Sequence, residues 1–216
     1  MRARENILLM RRRGLILAIA LLVVAPLAAQ TPAGWQVRVD RSTNAQDPDN
    51  VPELKVTTVG KGFQVTGGPA GTFWNPANAA SGNFTARATF NLVKPSNHVN
   101  YYGLVFGGSD LAGAGQSYIY FVVAQNGTYQ VRQRTGEQVS NVMARATNDA
   151  IKQPDASGKS TNVLEVRVAG DTVSFVVNGT VLHSMPKGTM KTDGLVGVRI
   201  NHVLDVVVDG FEVRKG

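Results

Sequence analysis

The strongest constraint on the fold is an alternation of apolar and polar residues that recurs along most of the chain after residue 30. The stretch NFTARATFNLV, Asn83–Val93, shows it most clearly, because every second residue is apolar and the residues between are polar. Successive side chains of a strand point to opposite faces, so a period of two predicts strands with one buried face. No segment after residue 30 sustains the helical period of 3.6. Together with frequent Gly, Asn, Asp and Pro breaks, the pattern predicts an all-β antiparallel two-sheet sandwich of about ten to twelve short strands.

Two Asn-Gly pairs predict hairpins, because a type I′ turn needs positive φ at both central residues. A two-residue loop at Asn126-Gly127 places Phe121 on the same face as Arg132 and Arg134. The same loop would put the alternate residues of this hairpin on the core face, namely Tyr118, Tyr120, Val122, Tyr129 and Val131.

The second pair, Asn178-Gly179, predicts another two-residue loop. In that register Phe175 faces the core, whereas Ser174 shares the outer face with His183. Three segments have no clear period and are expected to be irregular, namely Pro69–Gly82, Gly107–Gln116 and Met143–Thr161, the last with a short helical turn.

The first 29 residues are typical of a signal peptide. Five arginines precede the apolar run Leu15–Val24, and small residues lead to a cleavage point after Ala29. An apolar run of this length is too short to span a bilayer. Translation could begin at Met1 or at Met10, because either start leaves a complete leader. We therefore expect a leader at 1–29 followed by one β-sandwich domain at 30–216, periplasmic or secreted, with no membrane attachment after cleavage.

The charge of the chain argues against nucleic acid as a partner once the leader is set aside. The leader holds five of the 22 basic residues and one of the 15 acidic ones, which leaves 17 against 14, a net charge of +3. Binding to nucleic acid would be expected of a chain with a larger excess of basic over acidic residues. The chain has no cysteine, so disulfides, thiolate catalysis and Cys-ligated zinc are excluded.

The second half of the chain resembles a known fold family. The stretches TNVLEVRVAGDTVSFVVNGTVLHSMP and TDGLVGVRINHVLDVVVDGFEV are similar to the C-terminal half of concanavalin A-like (laminin-G/jelly-roll) lectin and glucanase domains. They also resemble exported bacterial domains of the 3-keto-disaccharide hydrolase-like group. The resemblance covers about Asn83 to Val213, and it implies a jelly-roll sandwich that acts on or binds saccharides.

No catalytic constellation accompanies that resemblance. Family-16 glucanases carry Glu-x-Asp-x-x-Glu on one strand, and the four glutamates after the leader are isolated (Glu53, Glu137, Glu165 and Glu212). Asp205 and Asp209 share a strand face but lie about 13 Å apart by strand rise, too far for an acid/base pair. GGSDLAG around Ser109 lacks the Gly-x-Ser-x-Gly pattern of a nucleophile elbow. The sequence thus favours a protein that is not an enzyme.

Metal sites find little support in the sequence. The three histidines, His98, His183 and His202, share no close spacing, so no zinc cluster is predicted. Asp110 could contribute to a calcium-binding loop, but it has no acidic neighbour, and calcium needs six to eight oxygen ligands. No cofactor is therefore expected, with calcium as the open alternative.

Sugar recognition requires aromatic faces and planar amide, carboxylate or guanidinium groups. Several residues of these types fall on predicted outer faces or loops. The candidate ligand-binding residues are Trp74, Arg87, Tyr101, Asp110, Phe121, Arg132, Arg134, Arg199 and His202.

These observations predict an exported, non-catalytic carbohydrate-binding (lectin-like) module whose partner is a glycan or small saccharide. Two alternatives stay open: a hydrolase or lyase acting on a modified disaccharide or glycoside, and a structural or protein-binding domain.

Overall fold

The computed structural model describes residues 31–41, 44, 46–47 and 53–216, so the leader expected at 1–29 lies outside the described residues. In the described part, fourteen strands and one short 3-10 turn follow one another. They are β1 Gln36–Asp40, β2 Lys55–Val59, β3 Gly62–Thr66, β4 Ala70–Ala80, β5 Phe84–Lys94, β6 Tyr101–Ser109, β7 Ser117–Ala124, β8 Thr128–Thr135, β9 Gln138–Thr147, β10 Ser160–Ala169, β11 Thr172–Val177, β12 Thr180–Pro186, the turn Lys187–Thr189, β13 Gly194–Ile200 and β14 Asp205–Lys215.

These strands form two seven-stranded antiparallel sheets, as the alternation predicted. Sheet A has the order β1-β4-β13-β6-β7-β8-β9, and sheet B has the order β12-β11-β10-β5-β14-β3-β2. Half of the neighbouring pairs join strands that are not consecutive in sequence, for example β4 beside β13 and β5 beside β14. No helix of the described residues is long and apolar enough to cross a membrane.

The main core lies between the inner faces of the two sheets. Alternate residues of β5 and β10 face inward from sheet B, and alternate residues of β6 and β7 face them from sheet A. Phe121 and Phe175 meet across this gap with ring centroids 5.1 Å apart, and both are fully buried. Each such phenylalanine removes enough apolar surface from water to contribute on the order of 2–3 kcal/mol.

The segment Pro69–Gly82, expected to be irregular, is instead largely the long strand β4. Its glycines, asparagines and Pro76 disguise the period of two, because such residues are rare in strands. Pro76 lies beyond the part of β4 that pairs with β1, Ala70–Trp74, so its missing N–H costs no hydrogen bond on that side. The segment from Met143 is likewise partly strand, since β9 continues to Thr147, and a non-helical turn follows.

The predicted face assignment of the β7–β8 hairpin is wrong by one residue. The connection has three residues, Gln125–Gly127, with Gly127 at φ 76° donating its N–H to Ala124 O. This is the three-residue loop in which a glycine closes the turn, and a shift of one residue exchanges the two faces. Phe121 therefore pairs with Val131 in the core, whereas Tyr120 and Tyr118 pair with Arg132 and Arg134 on the outer face.

The β11–β12 hairpin has the predicted two-residue turn, with Asn178 at φ 51° and Gly179 at φ 86°. A bulge between Phe175 and Val176 then shifts the register, so His183 pairs with Phe175 and not with Ser174. The prediction for His183 is wrong because a bulge inserts a residue that arithmetic from the turn does not include.

Candidate functional site

The outer face of sheet A carries a second apolar cluster, which we call the aromatic face. Its buried members come from β4, β6, β7 and the loop after β6, and Leu195 of β13 packs against them. They are Trp74, Tyr101, Val105, Leu111, Tyr118, Tyr120, Val122 and Ala124. Outer faces of sandwich sheets are usually polar, so a buried aromatic cluster here sets this face apart.

Sheet A curls strongly, so that this face is concave. Strands β1 and β8 are five positions apart in the sheet, which is about 24 Å in a flat sheet. Nevertheless Arg134 Nη1 of β8 donates to Asp40 Oδ2 of β1 at 2.9 Å. Thr72 and Tyr118, three strand spacings apart, likewise place their hydroxyl oxygens 3.3 Å from each other.

Two glycines permit this tight backbone packing. A Cβ on Gly197 would lie 2.1 Å from Phe73 O, and a Cβ on Gly103 would lie 2.2 Å from Phe121 O. Neither position can therefore hold a larger residue without moving a neighbouring strand.

An ion network ties the concave face together around Asp40. Its Oδ2 accepts from Arg134 Nη1 at 2.9 Å and from Arg199 Nη1 at 2.7 Å, and Arg38 Nε lies 3.5 Å from Oδ1. The Asp40, Arg134 and Arg199 side chains are only 10–12% exposed. Charge-assisted bonds of this length are strong, and removing one partner leaves the others buried without a counter-charge.

Arg199 is the most enclosed member of the network. Its Nη1 also donates to Thr72 Oγ1 and Tyr118 Oη, each at 3.0 Å, and its guanidinium carbon lies 5.5 Å from the centre of the Tyr120 ring. Burial alone would lower the pKa of Arg199, but Tyr118 and Asp40 raise it on balance, so the group stays charged. Burial raises the pKa of Tyr120 in spite of the nearby arginines, so its phenol is neutral at pH 7.

Arg132 differs from the other arginines of this face, because no hydrogen bond to it is found among the described residues and its Nε is buried without a partner. It lies between Tyr120 on β7 and Asn141 on β9 in the sheet register. Directly opposed residues share a face, so Arg132 and the exposed Asn141 point to the same side. With Gln130 two residues earlier on β8, they form what we call the β8 surface: Gln130, Arg132 and Asn141, next to Tyr120 in the sheet.

Four of the residues predicted from sequence are built into the aromatic face, but as enclosed groups. Trp74 is 3% exposed and Tyr101 8%, so neither ring presents a free face, and Tyr101 Oη lies 3.2 Å from Thr128 Oγ1. Arg134 and Arg199 belong to the network around Asp40. Arg132 alone of the predicted arginines lies on this face with an unpaired guanidinium in the described structure.

The remaining predicted residues lie elsewhere. Phe121 is fully buried in the main core, so the prediction that it lies beside Arg132 and Arg134 is wrong. Asp110, at φ 49°, shapes the β6–β7 loop by accepting from Gly115 N at 3.1 Å. His202 lies in the β13–β14 loop, and Arg87 lies on the outer face of sheet B.

The outer face of sheet B, here called the charged face, is built differently. Arg87 Nε lies 3.3 Å from Glu165 Oε1, Arg167 Nε donates to Glu165 Oε2 at 2.8 Å, and Arg214 Nε donates to Glu212 Oε2 at 3.1 Å. With Thr85 these residues line an open cleft of about 500 Å³ that has no aromatic wall.

Sequence reasoning missed Asp40, Arg38 and the meeting of two histidines. His98 Nε2 lies 2.9 Å from His202 Nε2, a contact that their sequence spacing did not indicate. The pair joins loops 104 residues apart in sequence, and no spacing rule could have found it. Among the described residues no group of three or more His, Asp or Glu is placed to hold a metal ion.

Two curved seven-stranded sheets with this strand order form a concanavalin A-like jelly roll, the fold that the sequence resemblance implied. The carbohydrate-binding module CBM66 from Bacillus subtilis is similar, with a TM-score of 0.61 and 12% identity over 84% of this chain and 95% of that one. The Emp47p carbohydrate recognition domain has a TM-score of 0.55 and 13% identity over 88% and 92% of the two chains.

An enzyme has the same architecture. The Bacteroides ovatus mixed-linkage glucan GH16, in complex with a G4G4G3G product, has a TM-score of 0.55 and 8% identity, covering 83% of this chain and 94% of that one. At these identities the similarity establishes the fold and not the activity. No family model matches the sequence. No curated protein matches it significantly.

Proposed function

We propose that this chain is an exported, non-catalytic carbohydrate-binding module that contacts its glycan through the β8 surface. The observation that carries the proposal is the half-buried Arg132, opposite Tyr120 in the strand register, whose guanidinium has no hydrogen-bond partner among the described residues. An unpaired cation next to the amides of Gln130 and Asn141 offers the planar hydrogen-bonding groups that hold sugar hydroxyls.

The charge around the site favours acidic glycans. Arg38, Arg132, Arg134 and Arg199 carry four positive charges, and Asp40 and Glu137 carry two negative ones, which leaves a local charge of +2. Arginine recognises carboxylate and sulfate groups through two parallel hydrogen bonds. We therefore expect glycans bearing uronate or sulfate groups to bind more tightly than their neutral counterparts.

The proposed lack of catalysis rests on the hydrogen-bond partners and the exposure of the two nearest carboxylates, Asp40 and Glu137. The Asp40 carboxylate already accepts hydrogen bonds from Arg134 and Arg199, and its side chain is only 12% exposed, so it is engaged in the ion network and not presented to a ligand. Glu137 is 81% exposed at the rim, 3.3 Å from Arg134. Glycoside hydrolysis on this architecture needs one carboxyl group that carries a proton beside the bond.

Export remains part of the proposal on the grounds of the N-terminal sequence. Arginines, an apolar run and small residues before position 30 have the order of a secretory leader, and the absence of cysteine is compatible with an oxidising compartment. N-terminal sequencing of the protein recovered from the medium or periplasm tests this point, with residue 30 as the expected first residue.

A glycan array tests the binding proposal. We expect the purified protein to bind acidic glycans, and Arg132→Ala to lower the affinity by about tenfold or more, which corresponds to about 1.4 kcal/mol. Arg87→Ala, which removes an arginine from the opposite sheet, is the matched control and should bind as the parent does.

Three outcomes contradict the proposal. Release of sugar from the bound glycan would identify the protein as a hydrolase or lyase. An equal loss in both arginine variants would place the site elsewhere. Absence of binding to every glycan would favour a structural or protein-binding role.

A further inference from the structure

An Asp-Gly pair on β14 brings a backbone nitrogen against the side chain that precedes it. The Gly210 N–H donates to Asp209 Oδ1 at 2.8 Å, and both residues are exposed. Because Oδ1 is bonded directly to Cγ, this hydrogen bond places the Gly210 nitrogen next to the carboxyl carbon of Asp209. A bond between that nitrogen and that carbon would close a succinimide ring.

A β-bulge gives the backbone at this point the freedom that ring closure requires. Pairing of β14 with β3 ends at Val208, and pairing with β5 is interrupted between Asp209 and Glu212, so Gly210 is paired with neither neighbour. Gly210 has φ 58°, in the region that favours glycine. Apart from its chain neighbours, a Cβ at this position would meet nothing closer than Thr89 Oγ1 at 3.9 Å.

The two Asn-Gly pairs, in the β7–β8 and β11–β12 hairpins, direct the same groups elsewhere. Gly127 N donates to Ala124 O at 3.1 Å and not to the Asn126 side chain. Asn178 Oδ1 accepts from Val163 N at 2.8 Å, and its Nδ2 donates to a backbone carbonyl and to an amide oxygen. Each hairpin therefore holds one of the two reacting groups away from the other.

The other Asp-Gly pair, Asp193–Gly194, lies at the start of β13. Asp193 is also exposed, but its Oδ1 accepts from Gly82 N at 3.1 Å and from Thr192 Oγ1 at 3.3 Å. Its carboxylate is thus engaged by the turn between β4 and β5 and by the residue before it. The pair has the same chemistry as Asp209–Gly210 without the same geometry, which makes it a matched control.

We propose that Asp209 is a site of spontaneous isomerisation to isoaspartate, through a succinimide formed with the Gly210 nitrogen. The nitrogen bonds to Cγ of the protonated carboxyl group and loses its own proton, while a Cγ–O bond breaks and water leaves. A second water molecule then opens the ring. Opening at the backbone carbonyl gives isoaspartate, whose main chain is longer by one methylene. Because the bulge already accommodates extra backbone, we expect the sandwich to stay folded.

The experiment ages the purified protein at physiological temperature and pH, digests it, and maps the products by electron-transfer mass spectrometry. In the folded parent, isoaspartate at position 209 should be severalfold more abundant than at position 193, and it should exceed the deamidation of Asn126 and Asn178. Ageing in concentrated urea should reverse the last order. A neutral carboxamide is attacked more readily than a carboxylate once the fold no longer sets the geometry.

Three variants separate this geometry from general degradation. Asp209→Asn should form the ring faster than the parent, with loss of ammonia, because it keeps the contact and replaces the carboxylate by a neutral amide. Asp209→Glu lengthens the side chain and should stop the modification at 209. Asp193→Glu should leave it unchanged, and thermal unfolding checks that each variant is folded.

Equal amounts of isoaspartate at positions 193 and 209 of the folded parent would overturn the proposal. Deamidation of Asn126 or Asn178 ahead of the change at Asp209 in the folded protein would overturn it as well, and so would an Asp209→Asn variant that reacts no faster than the parent. The site and its test do not depend on glycan binding.

Discussion

The two outer faces of the sandwich use arginines and carboxylates in opposite ways. On the aromatic face, Arg134 and Arg199 converge on one carboxylate beneath a curled sheet, with side chains 10–11% exposed. On the charged face, Arg87 and Arg167 pair with Glu165 but remain 38% and 43% exposed. Ion pairs of the first kind fix the shape of a surface, whereas pairs of the second kind exchange readily with water.

The two faces differ because the strands of the two sheets carry different residues. On sheet A, glycines at positions 103 and 197 let the strands pack closely, and tyrosines fill the concave space. On sheet B, β5 and β10 present alternating Thr, Arg and Glu across a regular ladder, and the arginine side chains remain about two-fifths exposed. The aromatic face is thus a closely packed surface on which one arginine, Arg132, is left unpaired in the described structure.

The largest difference between the faces should appear when one carboxylate is neutralised on each. Asp40→Asn leaves two nearly buried guanidinium groups without their counter-charge, so the free energy of unfolding should fall by about 3 kcal/mol. Glu165→Gln on the charged face should cost less than about 1 kcal/mol, because its partners are well hydrated. Urea unfolding of both variants measures the contrast, and equal losses would contradict the distinction between the faces.

A smaller effect, of opposite sign, is expected at Gln116. This side chain is fully buried next to β7, and neither its amide nitrogen nor its amide oxygen has a hydrogen-bond partner in the described structure. Gln116→Leu removes two unsatisfied polar atoms at similar volume, so the free energy of unfolding should rise by about 1 kcal/mol. A clear loss of stability in the same urea experiment would mean that the Gln116 amide is hydrogen-bonded in solution.

The smallest effect concerns alkaline pH. Because burial raises the pKa of Tyr120 above 10.0, its neutral form is favoured in the folded protein, whereas an unfolded chain ionises near 10. The stabilising contribution is complete below pH 10 and declines as the pH rises through the folded-state pKa. Tyr120→Phe should therefore make the stability fall less steeply above pH 10, as followed by unfolding at several pH values. An identical slope in parent and variant would show that Tyr120 is not the enclosed phenol described here.

Sequence periodicity was sufficient to predict the sandwich, because strands buried on one face must alternate. It was insufficient for β4, where Gly71 and Pro76 conceal a strand that tertiary pairing stabilises. It also misassigned Phe121, since a loop longer by one residue reverses every face that follows. The contacts Asp40–Arg134 and His98–His202 link residues 94 and 104 positions apart, so only the curl of sheet A and the meeting of two loops bring them together.

Of the nine candidate residues, five lie on the aromatic face, and the other four lie elsewhere. The five are Trp74, Tyr101, Arg132, Arg134 and Arg199. The outward position of Arg132 could be predicted, because an outward arginine on a strand is visible in the alternation. That its guanidinium lacks a hydrogen-bond partner could not be predicted, because this depends on which carboxylates the neighbouring arginines already bind.

Hydrogen exchange with and without a saturating acidic glycan is the sharpest test of glycan binding at the β8 surface. If the β8 surface binds the glycan, backbone amides of β7, β8 and β9 should exchange more slowly in the complex, and those of β5, β10 and β14 should be unchanged. The protection should disappear in Arg132→Ala and persist in Arg87→Ala. Protection confined to β5, β10 and β14 would place the glycan on the charged face and contradict the account.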